Sequence, residues 1–303
     1  MLSHPTHAFA AGRTALVTGG SDGIGLEIAR WLALAGARVL LPVRNREKGE
    51  RAAARIRESA PGARLELLDL DLARLDSVAA LVSELRDAGE PIELAVLNAG
   101  IVQLGERRRS VTVDGFELAF QTNCLGHFAL ALGILPLLRA CGARIAVQGS
   151  VAAAGARLRW GDLQGAQRYG AFRAYRSSKL ALGLFGVELA RRSAAEGWGL
   201  GVQLCHPGIA PGSAIAPALR ALLPPELVRT ATAYLGNPPR QAALTALAAL
   251  AAPPTASPRM FVPAGPFGLA GPPRERAPFA ELERAGDARL LWELAARWAP
   301  IRP

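Results

Sequence analysis

Apolar residues follow two alternating patterns along the chain. Short continuous apolar runs predict buried strands, and longer stretches with an apolar residue at every third or fourth position predict amphipathic helices. Between residues 13 and 261 the two patterns alternate. Such alternation is typical of a parallel sheet that is covered by helices on both faces.

The predicted strands lie at 13–19, 37–43, 64–70, 93–100, 143–150, 200–208 and 260–262. The predicted helices lie at 24–36, 46–60, 77–88, 114–140, 171–195, 240–251 and 283–298, with a loop at 151–170. We expect the long stretch at 114–140 to kink or stop near Pro136. Right-handed crossovers between these units give the strand order 3-2-1-4-5-6-7 of a Rossmann-type, doubly wound α/β fold. We expect a single nucleotide-binding domain over 1–303, with a substrate cap at about 209–240 and a C-terminal tail at about 263–303.

Composition narrows the classes of function. The 303 residues suit one large α/β domain, and no window has the roughly 18 uninterrupted apolar residues of a spanning helix. A first strand that begins near residue 13 leaves little room for a cleaved leader. We therefore expect a cytoplasmic protein without stable membrane insertion.

Charge and cysteine content exclude two further classes. The net charge is +10, but the arginines are scattered and the run at 107–109 has no interleaved aromatic residues, so we expect no binding of nucleic acid. Cys124, Cys141 and Cys205 show no C-x-x-C spacing, which predicts neither a disulfide framework nor a metal site. A reducing compartment agrees with this pattern.

A glycine-rich segment, TGGSDGIG at 18–25, follows the first strand and opens a helix. Gly19, Gly23 and Gly25 allow a tight turn and a close approach of the backbone to a pyrophosphate. The helix N-terminus adds N–H groups and the positive end of the helix dipole. The segment therefore predicts a dinucleotide site.

The residues after the second strand indicate which dinucleotide is bound. NAD-binding sites commonly have an acidic residue here that binds the ribose hydroxyls. This chain has Val43 in that place, followed directly by Arg44, which can bind an additional phosphate through charge-assisted hydrogen bonds. We favour NADP(H), with NAD(H) as the alternative.

Tyr175 and Lys179 stand one turn apart on a predicted helix, and Lys179 is one of only two lysines in an arginine-rich chain. A phenol needs its pKa lowered by roughly three units, or about 4 kcal/mol, to act as an acid and base at neutral pH. A cation at about 4 Å supplies energy of this order at an effective dielectric constant of about 20. We therefore expect Lys179 to lower the pKa of Tyr175.

These motifs resemble the short-chain dehydrogenase/reductase family, which has T-G-x-x-x-G-[IL]-G, N-N-A-G and Y-x-x-x-K. LNAG at 97–100 departs from the second motif only at Leu97. By this resemblance Ser150 binds the substrate carbonyl, and Asn123 is a fourth catalytic residue that supports a water relay beside the lysine. NCLGHFAL, HPG and the long interval between Ser150 and Tyr175 are similar to the branch of retinol dehydrogenases and protochlorophyllide reductase.

The resemblance also implies a set of cofactor-binding residues, in which Asp69 and Leu70 flank the adenine. The full set is Gly19, Ser21, Asp22, Gly23, Ile24, Gly25, Arg44, Asp69, Leu70, Asn98, Ala99, Gly100, Tyr175, Lys179, Pro207, Gly208 and Ile209. The family commonly has a threonine about five residues after the proline. This chain has Gly212 there, and the adjacent Ser213 is a candidate substitute.

Together these features predict a ketoreductase-type oxidoreductase that transfers a hydride between NADP(H) and a carbonyl or alcohol of a largely apolar small molecule. Two alternatives stay open, a non-catalytic NADP-binding regulator and an enzyme at a membrane surface. His127 and His206 are interpreted as packed structural residues, because no other metal ligands cluster near them in the sequence. A homo-oligomer is expected, because dimers and tetramers are common in the family that the chain resembles.

Overall fold

The computed structural model describes residues 9–210 and 236–299. Within them, the strands form one sheet in the order β3-β2-β1-β4-β5-β6-β7-β8. The strands are β1 (Thr14–Val17), β2 (Arg38–Val43), β3 (Arg64–Asp69), β4 (Leu94–Leu97), β5 (Arg144–Gln148), β6 (Gly201–Cys205), β7 (Met260–Pro263) and β8 (Pro273–Arg276). β1 to β7 pair in parallel, which confirms the predicted Rossmann-type α/β fold and its strand order.

Helices connect the parallel strands and cover both faces of the sheet. They are α1 (Gly23–Leu34), α2 (Arg46–Ser59), α3 (Leu75–Ala88), α4 (Leu118–Phe120), α5 (Gly126–Gly133), α6 (Leu135–Arg139), α7 (Ala171–Glu196), α8 (Pro239–Ala242), α9 (Leu244–Ala251) and α10 (Ala285–Trp298). Because the central strands are covered on both sides, β4 and β6 are buried along their whole length. Two apolar clusters, one on each face, form the core.

β8 was not predicted. It pairs antiparallel with β7 at the edge of the sheet, so that Met260 lies opposite Arg276. Its sequence, PRER, begins with proline and is mostly exposed. An edge strand needs neither a buried face nor every backbone donor, so it carries no apolar pattern. The predicted tail at about 263–303 therefore contains a strand of the sheet and the helix α10.

The helical stretch predicted at 114–140 is interrupted near Pro136, as expected, but it starts later than predicted and contains an unexpected turn. The helical stretch begins at Leu118, where the side chain of Glu117 caps the first turn by accepting from the Phe120 N–H at 2.7 Å. A π-helical turn then spans Gln121–Leu125, and a break near Ile134 separates α5 from α6. π-helical turns are rare and occur frequently at functional sites.

α10 packs against the long helix α7 through an aromatic cluster. The ring of Trp292 lies 5.2 Å from Phe128 of α5 and 5.9 Å from Phe185 of α7, measured between centroids. The guanidinium of Arg192 lies 4.4 Å from the centre of the Trp292 ring. Among the described residues, no helix is both long enough and apolar enough to cross a bilayer.

Candidate active site

The turn between β1 and α1 brings two stretches of backbone very close together. A Cβ atom on Gly25 would lie 2.2 Å from the Gly19 carbonyl oxygen, and Gly19 has a φ of +68°. Both positions therefore require glycine. Asp22 caps α1, since its Oδ1 accepts from the Gly23 N–H at 2.7 Å. A backbone turn without side chains at a helix N-terminus fits the pyrophosphate of a dinucleotide.

A cavity of about 550 Å³ opens at the carboxyl ends of the parallel strands. Its wall contains Ser150 and all but one of the predicted cofactor-binding residues, namely Gly19, Ser21, Asp22, Gly23, Ile24, Gly25, Arg44, Leu70, Asn98, Ala99, Gly100, Tyr175, Lys179, Pro207, Gly208 and Ile209. The exception is Asp69. Gly212, Ser213 and most of the predicted cap lie outside the described residues.

Asp69 is misplaced by two residues in the sequence-based prediction. Its side chain is 78% exposed and pairs with Arg46 at 3.5 Å, whereas Asp71 lies in the cavity wall. The segment L-D-L-D-L offers two equivalent registers, and β3 ends at Asp69. Beyond a strand end the two-residue alternation no longer predicts which way a side chain points.

Tyr175 and Lys179 face the cavity from α7, and both side chains are buried. The Lys179 Nζ donates to the Gln148 carbonyl at the end of β5, at 3.1 Å. It also lies 3.0 Å from the position that a Cβ on Gly100 would take. Gly100 therefore leaves the space that the ammonium group fills.

Burial shifts the pKa values of both groups. Burial lowers the pKa of Lys179 from 10.5 to about 8, because the charged ammonium loses its hydration. Burial also raises the pKa of Tyr175 above 10, although a hydrogen bond with Ser150 opposes the change. Desolvation of the phenolate outweighs this hydrogen bond in the protein alone. That Lys179 lowers the pKa of Tyr175 stays a prediction.

Ser150 caps a short 3-10 turn at Val151–Ala153, and its Oγ accepts from the Ala152 N–H at 3.2 Å. His206 holds the same turn from β6, because its Nδ1 accepts from the Val151 N–H at 3.2 Å. Burial lowers the pKa of His206 to about 4, so the ring is neutral at physiological pH. His206 thus lies in the cavity wall and supports the turn that carries Ser150.

Asn123 lies in the π-helical turn, outside the cavity wall. Its Oδ1 accepts from the Ile101 N–H at 2.7 Å, and its Nδ2 donates to the Ile101 carbonyl at 3.0 Å and to Ser178 Oγ at 2.9 Å. Ser178 Oγ in turn donates to the Tyr175 carbonyl at 2.8 Å. The side chain of Asn123 therefore joins the loop after β4 to α7, so a water relay at this residue would have to use its backbone carbonyl.

Lys48 is a cavity residue that the sequence analysis missed. It lies in the first turn of α2, close to Arg44, and its Nζ pairs with Asp22 Oδ2 at 2.8 Å. This contact lowers the pKa of Asp22. The first turn of a helix that follows a parallel strand lies at the same sheet edge as the strand end, and that signal was available in the sequence. Both lysines of the chain line this one cavity.

Among the residues that the structure describes, no group of three or more His, Cys, Asp or Glu side chains could hold a metal ion. The cavity residues instead suit a dinucleotide. The glycine turn accepts the pyrophosphate, and Arg44 and Lys48 provide positive charge where β2 ends.

Comparison with solved structures agrees with this geometry. An uncharacterized protein from Mycobacterium paratuberculosis superimposes with a TM-score of 0.76 at 31% identity, covering 96% of this chain and 95% of that one. The NADP complex of RhlG from Pseudomonas aeruginosa gives a TM-score of 0.64 at 31% identity, covering 84% and 93%. A third neighbour, from Beutenbergia cavernae, also holds NADP and gives a TM-score of 0.62 at 29% identity.

Sequence relatives are dehydrogenases. Polyprenol dehydrogenase of Mus musculus is 36% identical over 251 residues, which are 80% of this chain and 72% of the relative. Retinol dehydrogenase 12 of Mus musculus is 37% identical over 199 residues, which are 65% of this chain and 61% of the relative. The chain spans only 60–62% of several other relatives. The family model for short chain dehydrogenases matches residues 13–221. The chain therefore belongs to the short-chain dehydrogenase family, in the retinol dehydrogenase branch of oxidoreductases that act on CH–OH and C=O groups.

Proposed function

We propose that this protein is an NADP(H)-dependent oxidoreductase that interconverts an apolar aldehyde or ketone with its alcohol. The observation that carries the proposal is one cavity in which Tyr175, Lys179 and Ser150 meet the glycine turn. A non-catalytic regulator on the same fold would not need a tyrosine, a lysine and a serine to converge beside its nucleotide.

The preference for NADP(H) rests on charge at the end of β2. Arg44 and Lys48 both line the cavity there, and the last residue of β2 is Val43 instead of an acid. Among the described residues, Asp22 is the carboxylate that pairs with Lys48, at 2.8 Å, and this ion pair compensates its charge. An additional phosphate would gain two cationic partners.

In the proposed mechanism, each catalytic side chain acts at a stated atom. The nicotinamide supplies or accepts the hydride when it is bound. In reduction, Ser150 Oγ and the Tyr175 hydroxyl bind the carbonyl oxygen, and Tyr175 gives it a proton. Lys179 has a pKa of about 8, so it is mostly charged at neutral pH. It can give a proton back to Tyr175 and take one from the relay water in turn. The Asn123 carbonyl holds the relay water.

The substrate side of the proposal rests on the rest of the cavity wall. That part of the wall is largely apolar and includes Ile101, Val102, Leu104, Ala152, Phe172 and Leu269. Phe172 is 54% exposed, so an apolar ring stands at the cavity surface. Relatives are named for polyprenol and retinol, which are isoprenoid alcohols. We infer that an isoprenoid-like alcohol or aldehyde is the substrate.

A cytoplasmic location is part of this proposal, because Cys124, Cys141 and Cys205 all carry free thiols. Association with membranes that hold the apolar substrate is the alternative. A homo-oligomer stays a prediction.

The test is NADPH oxidation by the purified full chain with retinal, a longer polyprenal and, as a polar control, glyceraldehyde. We expect turnover of the isoprenoid aldehydes, faster with NADPH than with NADH. Turnover of glyceraldehyde alone would contradict the substrate class. Failure to turn over any carbonyl or alcohol with either nucleotide would contradict the proposed activity.

A further inference from the structure

His127 is a fully buried histidine that the proposed mechanism does not use. It follows Asn123 by one helical turn, and its Nδ1 lies 3.1 Å from the Asn123 backbone carbonyl oxygen. Its Nε2 lies 2.9 Å from Thr18 Oγ1, at the end of β1. The ring therefore bridges the π-helical turn and the strand that carries the glycine turn.

The partners of His127 fix its protonation. A carbonyl oxygen only accepts, so Nδ1 must carry the hydrogen. Burial lowers the pKa of His127 to about 3, so the ring is neutral and Nε2 is an acceptor. Thr18 Oγ1 must then donate to Nε2. The other acceptor for this hydroxyl, the Val96 carbonyl, lies farther away, at 3.2 Å against 2.9 Å for Nε2.

The Thr18 hydroxyl continues the chain of hydrogen bonds to the nucleotide cavity. It accepts from the Asn98 N–H at 2.9 Å and from the Ala99 N–H at 3.1 Å. Both residues line the cavity. In this chain of hydrogen bonds each group donates to the next one, from the N–H groups of the loop through Thr18 and His127 to the Asn123 carbonyl. Successive hydrogen bonds in such a chain polarise one another.

We propose that His127 is a positioning residue that couples the loop at 98–100 to the Asn123 carbonyl. This inference rests on the proposed function, in which that carbonyl holds the relay water. The carbonyl lies in a π-helical turn, where backbone pairing shifts to i→i+5. The Nδ1–H binds this oxygen from one side and so fixes its direction, and in the proposed function the same oxygen also accepts from the relay water.

Two substitutions separate the two ends of this bridge. In His127→Gln, the longer amide can still accept from Thr18, but it removes the donor to the Asn123 carbonyl. In His127→Asn, the shorter amide can still donate to that carbonyl, but it does not reach Thr18. Ser193→Ala is the matched control, because Ser193 Oγ is also buried on a helix and accepts from the Leu200 N–H at 2.9 Å, far along α7.

The readouts are the Kd for NADPH, measured by fluorescence titration, and kcat with retinal. Loss of one buried hydrogen bond of ordinary strength predicts a change of about tenfold. We expect His127→Gln to lower kcat with little change in Kd, and His127→Asn to raise Kd with little change in kcat. Ser193→Ala should lower Tm and change neither constant. Equal changes in both constants for both His127 variants, in proportion to their loss of Tm, would overturn the coupling.

The wild-type protein offers an independent test that needs no substitution and no turnover. ¹⁵N NMR of histidine-labelled protein should show His127 protonated at Nδ1 and unprotonated at Nε2. A proton on Nε2 would overturn the proposal. Absence of NADPH-linked turnover would instead contradict the proposed function and leave this ring assignment intact.

Discussion

Replacing Lys179 with methionine removes a buried ammonium group while filling nearly the same volume. We expect this substitution to abolish turnover and, at neutral pH, to stabilise the protein without nucleotide. Lys179 is 3% exposed, and its positive charge has only the Gln148 carbonyl as a hydrogen-bond acceptor among the described residues. Removing water from the ammonium group costs free energy, so a buried cation that the chemistry needs lowers the stability of the folded protein.

The pKa of Lys179 gives the magnitude. Its fall from 10.5 to about 8 corresponds to about 3 kcal/mol of destabilisation, at about 1.4 kcal/mol for each pH unit. Loss of the hydrogen bond to Gln148 offsets about 1–2 kcal/mol of that gain. The net stabilisation expected for Lys179→Met is therefore about 1–2 kcal/mol at pH 7.

The sign of the pH dependence follows from the lowered pKa. Below about pH 8 both the folded and the unfolded protein carry the charge, and the full penalty is present. As the pH rises from about 8 towards 10.5, the folded state has lost the proton and the penalty fades. At about pH 9.5 the advantage of the methionine variant should therefore shrink by about 2 kcal/mol.

Urea unfolding followed by the fluorescence of the five tryptophans, at about pH 7 and about pH 9.5, measures this difference. Lys48→Met is the matched control, since Lys48 is the other lysine and its side chain is 44% exposed. It should change the free energy of unfolding by less than about 0.5 kcal/mol. A Lys179→Met variant that is less stable at neutral pH, with a deficit independent of pH, would refute the reasoning.

Three further predictions concern the nucleotide, the acid limb of stability and the C-terminal helix. Lys48→Met should weaken the binding of NADPH about tenfold and leave the binding of NADH unchanged. Asp22→Asn keeps the helix cap and should strengthen the binding of NADPH. Equal effects on both nucleotides in a fluorescence titration would argue against a phosphate contact. The pKa values of His127 and His206, about 3 and about 4, lie below the ordinary 6.5, so their contribution to stability is present above pH 6.5 and is lost as the pH falls towards them. Urea unfolding should show a loss of about 3–4 kcal/mol between about pH 7 and about pH 5, and a flat profile would mean that both rings charge without cost. Trp292→Ala should lower the free energy of unfolding by about 3–5 kcal/mol, because it empties the space between Phe128 and Phe185, and a Tm within one degree or so of wild type would show that α10 is not needed there.

The parallel part of the sheet was predictable because each buried strand has a continuous apolar run. LAVL of β4 and GVQLC of β6 are buried at every position, and all of their residues except Gln203 are apolar. The sequence therefore identifies them as buried strands and not as surface segments. β8 was missed for the opposite reason. Its four residues, PRER, are held by pairing with β7 and not by burial of side chains.

Within the site, most residues predicted from a motif line the cavity, whereas contacts between distant parts of the chain were not predicted. Tyr175 and Lys179 meet because one helical turn separates them. The sequence does not show where β3 stops, so it does not show that Asp71 lines the cavity and Asp69 does not. The bridge from His127 to Thr18 joins residues 109 positions apart, and no local pattern predicts such a contact.

The pKa of Tyr175 shows a further limit of sequence reasoning. A Coulomb estimate with Lys179 predicted a lowered pKa, but it omitted the desolvation of the phenolate, which raises it. Spacing along a helix gives an approximate distance between two groups, whereas burial depends on everything that packs around them.

The central claim is that Tyr175 is the proton donor beside a bound nicotinamide. Single-turnover oxidation of NADPH by retinal, compared between wild type and Tyr175→Phe, tests it most directly. We predict that the substitution slows hydride transfer by about 10²–10⁴-fold, the range of general acid catalysis, and changes the Kd for NADPH less than about threefold. A Tyr175→Phe variant that binds NADPH normally and transfers hydride at the wild-type rate would contradict the account.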